Sequence, residues 1–189
     1  MQFVRRPTWR YYPQPDRPRA DLRELIDAVE AIGPWLEEDW WRRPKKDTRE
    51  ITRALEPHLP TPTAATASVG PKLRRGWNLE TRERYPNMPF LYAEGDLSIQ
   101  SVEPDAVFVD DRDRLSLVEI EGGGAKTNYR GMKDIVEALL LPSVDYVALI
   151  VPFRAHQTHP YDYYNNLVTS LYARQIVQAH LRGLLVVGY

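Results

Sequence analysis

The hydrophobic pattern changes period near the middle of the chain. In "DLRELIDAVEAIGP", Leu22, Leu25, Ile26, Val29 and Ile32 fall on one face of a helix, with Gly33-Pro34 as its stop. "DTREITRALEPHL" reads as a second helix: Asp47 followed by Glu50 resembles a capping box, and Pro57 ends or kinks it. Between them lies the tryptophan-rich "WLEEDWWRRPKK", whose Trp35, Trp40 and Trp41 suit a core or interface. Residues 1–20, rich in Pro, Arg and Tyr, are expected to be extended. The stretch "PHLPTPTAATASVGP" has no period and reads as a loop or arm.

Beyond it the signal becomes that of strands. "FLYAEGDLSIQSV" holds two short apolar runs, the second giving a strand over 97–102. "DAVFVDD" and "LSLVEIE" are strands joined by the acidic turn "DDRDR" into a hairpin. "NYRGMKDIVEALLL" returns to helical spacing, with Met132, Ile135, Val136, Leu139 and Leu140 on one face. "VDYVALIVP" is continuously apolar, as a buried strand should be. A long helix is expected from Pro160 to Gly183, with the tyrosines of "YDYYNN" packing under a loop or into an interface. "LLVVGY" is a last strand. A strand–helix–strand crossover makes part of the sheet parallel. The expectation is an α/β fold: a mixed β-sheet flanked by helices, with a helical portion over about 1–60 and a sheet-bearing core over about 90–189 of one 189-residue domain.

Composition narrows the chemistry. No cysteine is present among the 189 residues, which excludes disulfides, thiolate metal sites and a cysteine nucleophile, and fits a cytoplasmic protein. No signal-peptide pattern opens the chain, and no apolar run is long enough to span a bilayer, so no membrane partner is expected. The net charge is −1 but unevenly spread: residues 1–90 carry 17 basic and 13 acidic residues, residues 91–189 carry 8 and 13. A basic, aromatic front half thus precedes an acidic back half; the plain reading is chance and solvated surface, the sharper one a phosphate-contacting surface apart from a carboxylate centre.

Candidate chemistry concentrates in "LSLVEIEGGGAKTNYRGMK", where a strand, a glycine turn and a helix follow one another. A P-loop would need glycines at the positions of Ile120 and Ala125, ahead of Lys126-Thr127, and has neither. The amides of Gly122 to Gly124 could still approach a phosphate, or the glycines could simply make a turn. Glu119 and Glu121 share a strand face, while Ile120 points the other way. Asp105 opens the preceding strand, and the hairpin brings it beside Glu119. Carboxylates side by side repel unless a cation lies between them. Hard oxygen ligands without cysteine suit Mg²⁺. The plainer reading is a charged, solvated strand end. His156 and His159 in "HQTHP" make half a zinc site at best.

Pro104-Asp105, thirteen residues, then Glu119-Ile120-Glu121 resembles the PD-(D/E)xK nuclease superfamily, and the order helix, three strands, helix, strand is that superfamily's core. The stretch from Arg114 to Pro152 is similar to Type II restriction endonucleases of the BamHI and BglII kind, in which a glutamate-bearing strand leads to a helix and then an "IVP" strand. The resemblance implies a restriction-endonuclease-like αβββαβ core and Mg²⁺-dependent hydrolysis of double-stranded DNA by a homodimer. Asp105, Glu119 and the carbonyl of Ile120 would bind the metal. Glu121, where the superfamily normally has lysine, would orient or deprotonate the water, with Lys126 or Lys133 as substitutes for the lysine. Lys133 also has the plainer reading of a surface pair with Glu137. Glu94, Asp96 or Glu24 would supply a further carboxylate. DNA contacts would come from Lys72, Arg74, Arg75, Trp77, Arg82 and Arg84, and from Lys126, Asn128, Tyr129 and Arg130. The alternative is a catalytically silent DNA-binding or assembly module on the same fold.

Overall fold

A computed structural model describes residues 7–14, 16–43, 46–69, 73–80, 88–89, 101–122, 130–155 and 157–189. The chain is α/β. Its elements are β1 (Thr8–Tyr12), α1 (Ala20–Glu38), α2 (Thr48–Leu55), β2 (Gly76–Leu79), β3 (Met88–Pro89), β4 (Ser101–Val102), β5 (Ala106–Val109), β6 (Leu115–Ile120), α3 (Arg130–Leu139), β7 (Val144–Val151), α4 (Pro160–Ala173) and β8 (Gly183–Gly188). Six strands form one mixed sheet in the order β1-β8-β7-β6-β5-β2, and β3 pairs with β4 apart from it. The two crossovers, β6-α3-β7 and β7-α4-β8, make the centre parallel; β5, β2 and β1 pair antiparallel at its flanks.

The continuous apolar runs have a simple cause: the central strands are covered on both faces. Val118, Ile120, Ala148, Ile150, Leu185 and Val187 pack under α1 and α2. Leu117, Val147, Leu149, Leu184 and Val186 pack under α3 and α4. The apolar face of α1 is buried as its spacing predicts, from Leu22 to Leu36. Among the described residues no helix is long and apolar enough to cross a membrane.

Several boundaries differ from the sequence reading. Helix α1 runs through Gly33-Pro34 to Glu38. Burial of Leu36 and Trp40 beyond the proline holds the extra turn, against the lost hydrogen bond that proline costs. Asp47 does cap α2, accepting the Arg49 amide at 3.1 Å, but Glu50 pairs with Arg43 at 2.6 Å instead of completing a capping box. Helix α4 stops at Ala173, nine residues before the expected end. Gln175 there has a φ of 56°, a left-handed turn that ends the helix without glycine. The extended N-terminus contains an edge strand, β1. Strand β2 lies in "KLRRGWNLETRER", which carried no strand signal. The expected strand over 97–102 falls mostly outside the described residues, and Ser101–Val102 belongs to β4.

Two glycines on β8 are dictated by close approach. A side-chain carbon at Gly183 would strike the Tyr11 ring, and one at Gly188 would strike Phe153 and come within 2.7 Å of Tyr161. Those tyrosines of "PYDYYNN" that are buried, Tyr161 and Tyr164, lie in the core beneath α4.

Candidate active site

The site grows out of strand register. Strands β5 and β6 pair with Ala106 opposite Val118, so the next rung sets Asp105 opposite Glu119. On the other side, β2 pairs with β5 with Leu79 opposite Ala106, and the Glu80 amide donates to the Asp105 carbonyl at 2.7 Å. Glu80, Asp105 and Glu119 therefore stand in one row across three adjacent strands. Alternation puts all three on the face that α3 covers, because Val107 and Leu117, two residues away on their strands, lie in that core. Glu121 follows two residues beyond Glu119 and is buried at 6% exposure.

Proline governs how this edge is finished. The rung beyond Asp105–Glu119 would pair Ile120 with Pro104, which has no N–H to give. Pro104 therefore offers no donor to the Ile120 carbonyl; separately, the Asp105 carboxylate accepts the Ile120 amide at 2.6 Å. The arrangement thus fixes one oxygen of Asp105 and leaves its charge beside Glu119 and Glu80.

The electrostatics follow. Burial first, then hydrogen bonding and charge from Glu80 and charge from Glu121, push the Asp105 carboxyl up to about 7, against the pull of the Ile120 amide. Glu119 is raised well above the usual carboxylate range by burial, and then by Asp105, Asp134, Glu137 and Glu121. The last turns of charge come from α3: Asp134 and Glu137 face Glu119, and Lys133 pairs with Glu137 at 3.0 Å while feeling Asp134 and Glu119. Asp105 and Glu119, half-buried and raised by burial and by neighbouring carboxyls, are hard oxygen donors short of positive charge. That suits a small divalent cation such as Mg²⁺. Among the described residues no three acidic or histidine side chains are gathered tightly enough to enclose an ion. The row is spaced at strand intervals of about 4.8 Å; Glu80 already hydrogen-bonds to Asp105, so Glu119 must turn toward that pair for the three to share one.

The expected residues divide. Asp105, Glu119, Ile120 and Glu121 are brought together, and Lys133 lies at the margin on its exposed pair with Glu137. Glu80 was not among the expected carboxylates. Its signal was available only through a strand assignment at "GWNLE", since alternation from buried Trp77 and half-buried Leu79 sends Glu80 to the opposite face. Glu24 is on the wrong face: it accepts the Trp77 indole N–H at 3.0 Å beneath α1. Trp77 itself is 2% exposed with its ring against Phe108, so it is a core residue and offers DNA no surface. Arg75 is tied to Asp113 at 2.8 Å, bracing the β5–β6 turn, and is not an open DNA contact. Arg74 is exposed. Lys72, Arg82, Arg84, Glu94, Asp96, the glycine turn after Gly122, Lys126, Asn128 and Tyr129 lie outside the described residues, as do His156 and the side chain of Arg130.

Comparisons with protein-family models, with curated proteins and with solved structures found no match.

Proposed function

We propose that the chain is a Mg²⁺-dependent endonuclease acting on double-stranded DNA, on a restriction-endonuclease-like core. The observation that carries this reading is the row Glu80–Asp105–Glu119 at the end of adjacent strands, with Glu121 beyond it. The run α1, β2, β5, β6, α3, β7 supports it, since its order and strand directions follow helix, three strands, helix, strand with a parallel last pair. Asp105, Glu119 and Glu80 would hold the ion together with the Ile120 carbonyl. The ion would supply a Lewis acid for the phosphate and a lowered pKa for water. Glu121, buried beside the row, would orient the attacking water or take its proton. Lys133, paired with Glu137 and within the charge of Glu119, would stand in for the superfamily's lysine. Arg74 and residues 126–130 would contact DNA. Cutting both strands calls for two such sites, hence a homodimer, and restriction inside the cell is the setting that the resemblance favours.

The test is nicking of supercoiled plasmid in Mg²⁺ by wild type, Asp105→Ala and Glu119→Ala. Cleavage by wild type, reduced at least a hundredfold in both variants, is expected. Retarded migration of DNA without cleavage by any of the three would replace the enzyme with the silent DNA-binding module.

A further inference from the structure

Strand β6 ends between two neighbours, and each meets its last rung with a proline. On the β7 side, Ile120 stands beside Ile150 and the Glu121 amide donates to the Ile150 carbonyl at 2.8 Å. A parallel ladder would then return the amide of residue 152 to the Glu121 carbonyl. Residue 152 is proline and has no such amide. The Tyr189 hydroxyl takes its place, donating to the Glu121 carbonyl at 2.7 Å from a buried position. Tyr189 is itself held at both ends of its main chain: its amide donates to Val151 at 3.0 Å, and its carbonyl accepts from Phe153 at 2.7 Å. Its ring stands edge-on to Trp40, 5.8 Å between centroids, and the Trp40 indole donates to the Asp47 carbonyl at 3.3 Å.

We propose that Tyr189 is a positioning residue for the site, its hydroxyl replacing the ladder donor that Pro152 lacks and so fixing the peptide after Glu121 and the origin of that glutamate's side chain. This rests on the nuclease reading and extends it to a residue sixty-eight positions away that touches neither phosphate nor ion. A buried carbonyl that loses its donor rotates to find another. The carboxylate on the same residue then leaves the position from which it handles water. The device also ties the end of β8 and the Trp40 segment to the carboxylate row.

The experiment compares wild type, Tyr189→Phe, Pro152→Ala/Tyr189→Phe and Glu119→Gln, with Val168→Ala, a core truncation beneath α4, as a control for lowered stability. Two readouts are taken: single-turnover cleavage of supercoiled plasmid, and Mn²⁺ affinity by calorimetry without DNA. Tyr189→Phe is expected to lose about tenfold or more in rate, the loss typical of a group that orients a ligand from behind, with Mn²⁺ bound several-fold more weakly. Pro152→Ala/Tyr189→Phe, which returns a backbone N–H to the rung, is expected to regain most of both, and Val168→Ala to keep both. Tyr189→Phe equal to wild type overturns the proposal. So does a loss that Pro152→Ala leaves unrelieved, or an equal loss in Val168→Ala. Inactivity of Glu119→Gln beside an unimpaired Tyr189→Phe sinks this proposal and leaves the nuclease standing. Wild type that neither binds Mn²⁺ nor cuts sinks the nuclease reading and this inference with it.

Discussion

Replacing Asp105 by asparagine isolates the electrostatic load on the carboxylate row. Asparagine keeps an oxygen for the Ile120 amide and gains an N–H₂ to offer Glu80, so the hydrogen bonds survive while the charge goes. In the folded protein the Asp105 carboxyl is raised from 3.8 to about 7 by burial and by Glu80 and Glu121. The folded state therefore holds a proton that the unfolded chain releases. Below about pH 4 both states are protonated and the group contributes nothing. As pH rises through the window from about 4 to about 7, stability falls, and above it the full loss is in force. Three pH units at about 1.4 kcal/mol each set a ceiling of about 4 kcal/mol. Sharing of the proton with neighbouring carboxyls and local relaxation bring the portion specific to Asp105 to on the order of 2 kcal/mol. The assay is urea unfolding at pH 5 and pH 8, without divalent metal. Wild type is expected to be less stable at pH 8, and Asp105→Asn to be stabilised at pH 8 by on the order of 2 kcal/mol and to show a flatter slope. The remaining slope belongs to Glu119, which is raised for the same reasons. Wild type as stable at pH 8 as at pH 5, or Asp105→Asn gaining nothing there, refutes the reasoning.

Metal binding should displace those same protons. At pH 6.5, Mg²⁺ titrated calorimetrically into buffers of different ionisation enthalpy is expected to release about one proton per ion, with affinity rising toward pH 8; heats independent of buffer would separate the ion from this row. Gly188→Ala should cost at least about 1–3 kcal/mol of unfolding free energy, because the added carbon runs into Phe153 and Tyr161. A melting temperature equal to wild type would show that those rings yield freely.

How far the sequence disclosed the structure depends on what each signal records. Helical spacing at Leu22 to Ile32, the hairpin at "DDRDR" and the unbroken run of β7 record burial directly, and these elements stand where the pattern put them. Glu119 beside Asp105 was also legible, because a tight hairpin turn fixes register. Strand β2 was not. "GWNLE" is short, it is flanked by charged residues, and its partner β5 lies about thirty positions on, so its pairing is decided by tertiary contact. Missing that strand hid Glu80 and turned the core residue Trp77, and Arg75 tied to Asp113, into apparent DNA contacts. The basic and aromatic composition of the segment was real, but composition cannot tell a buried indole from an exposed one. Helix α4 was overextended for a similar reason: "RQIVQAHL" has helical propensity, yet Val177 and Leu181 are buried through a turn, and tertiary packing overrides propensity.

The prolines explain why a central strand can carry its charges at one end without dissolving into solvent. A surface strand end leaves its last carbonyls to water, and charged residues there are unremarkable. At β6 the last carbonyls are inside, flanked by β5 and β7, and the ladder would normally consume them. Pro104 removes the donor on one side and Pro152 removes it on the other. The Ile120 carbonyl thereby receives no N–H from residue 104, while the Glu121 carbonyl accepts from Tyr189. Glu121 lies between these two peptides, its own carbonyl held by Tyr189. Solvation of a frayed strand end would need neither proline, nor a buried phenol, nor an aspartate bent onto the strand's own amide. The strand end therefore differs from a frayed one: its amide at Ile120 is engaged by Asp105 and its carbonyl at Glu121 by Tyr189, beside carboxyls of Asp105 and Glu119 that burial and neighbouring charge raise.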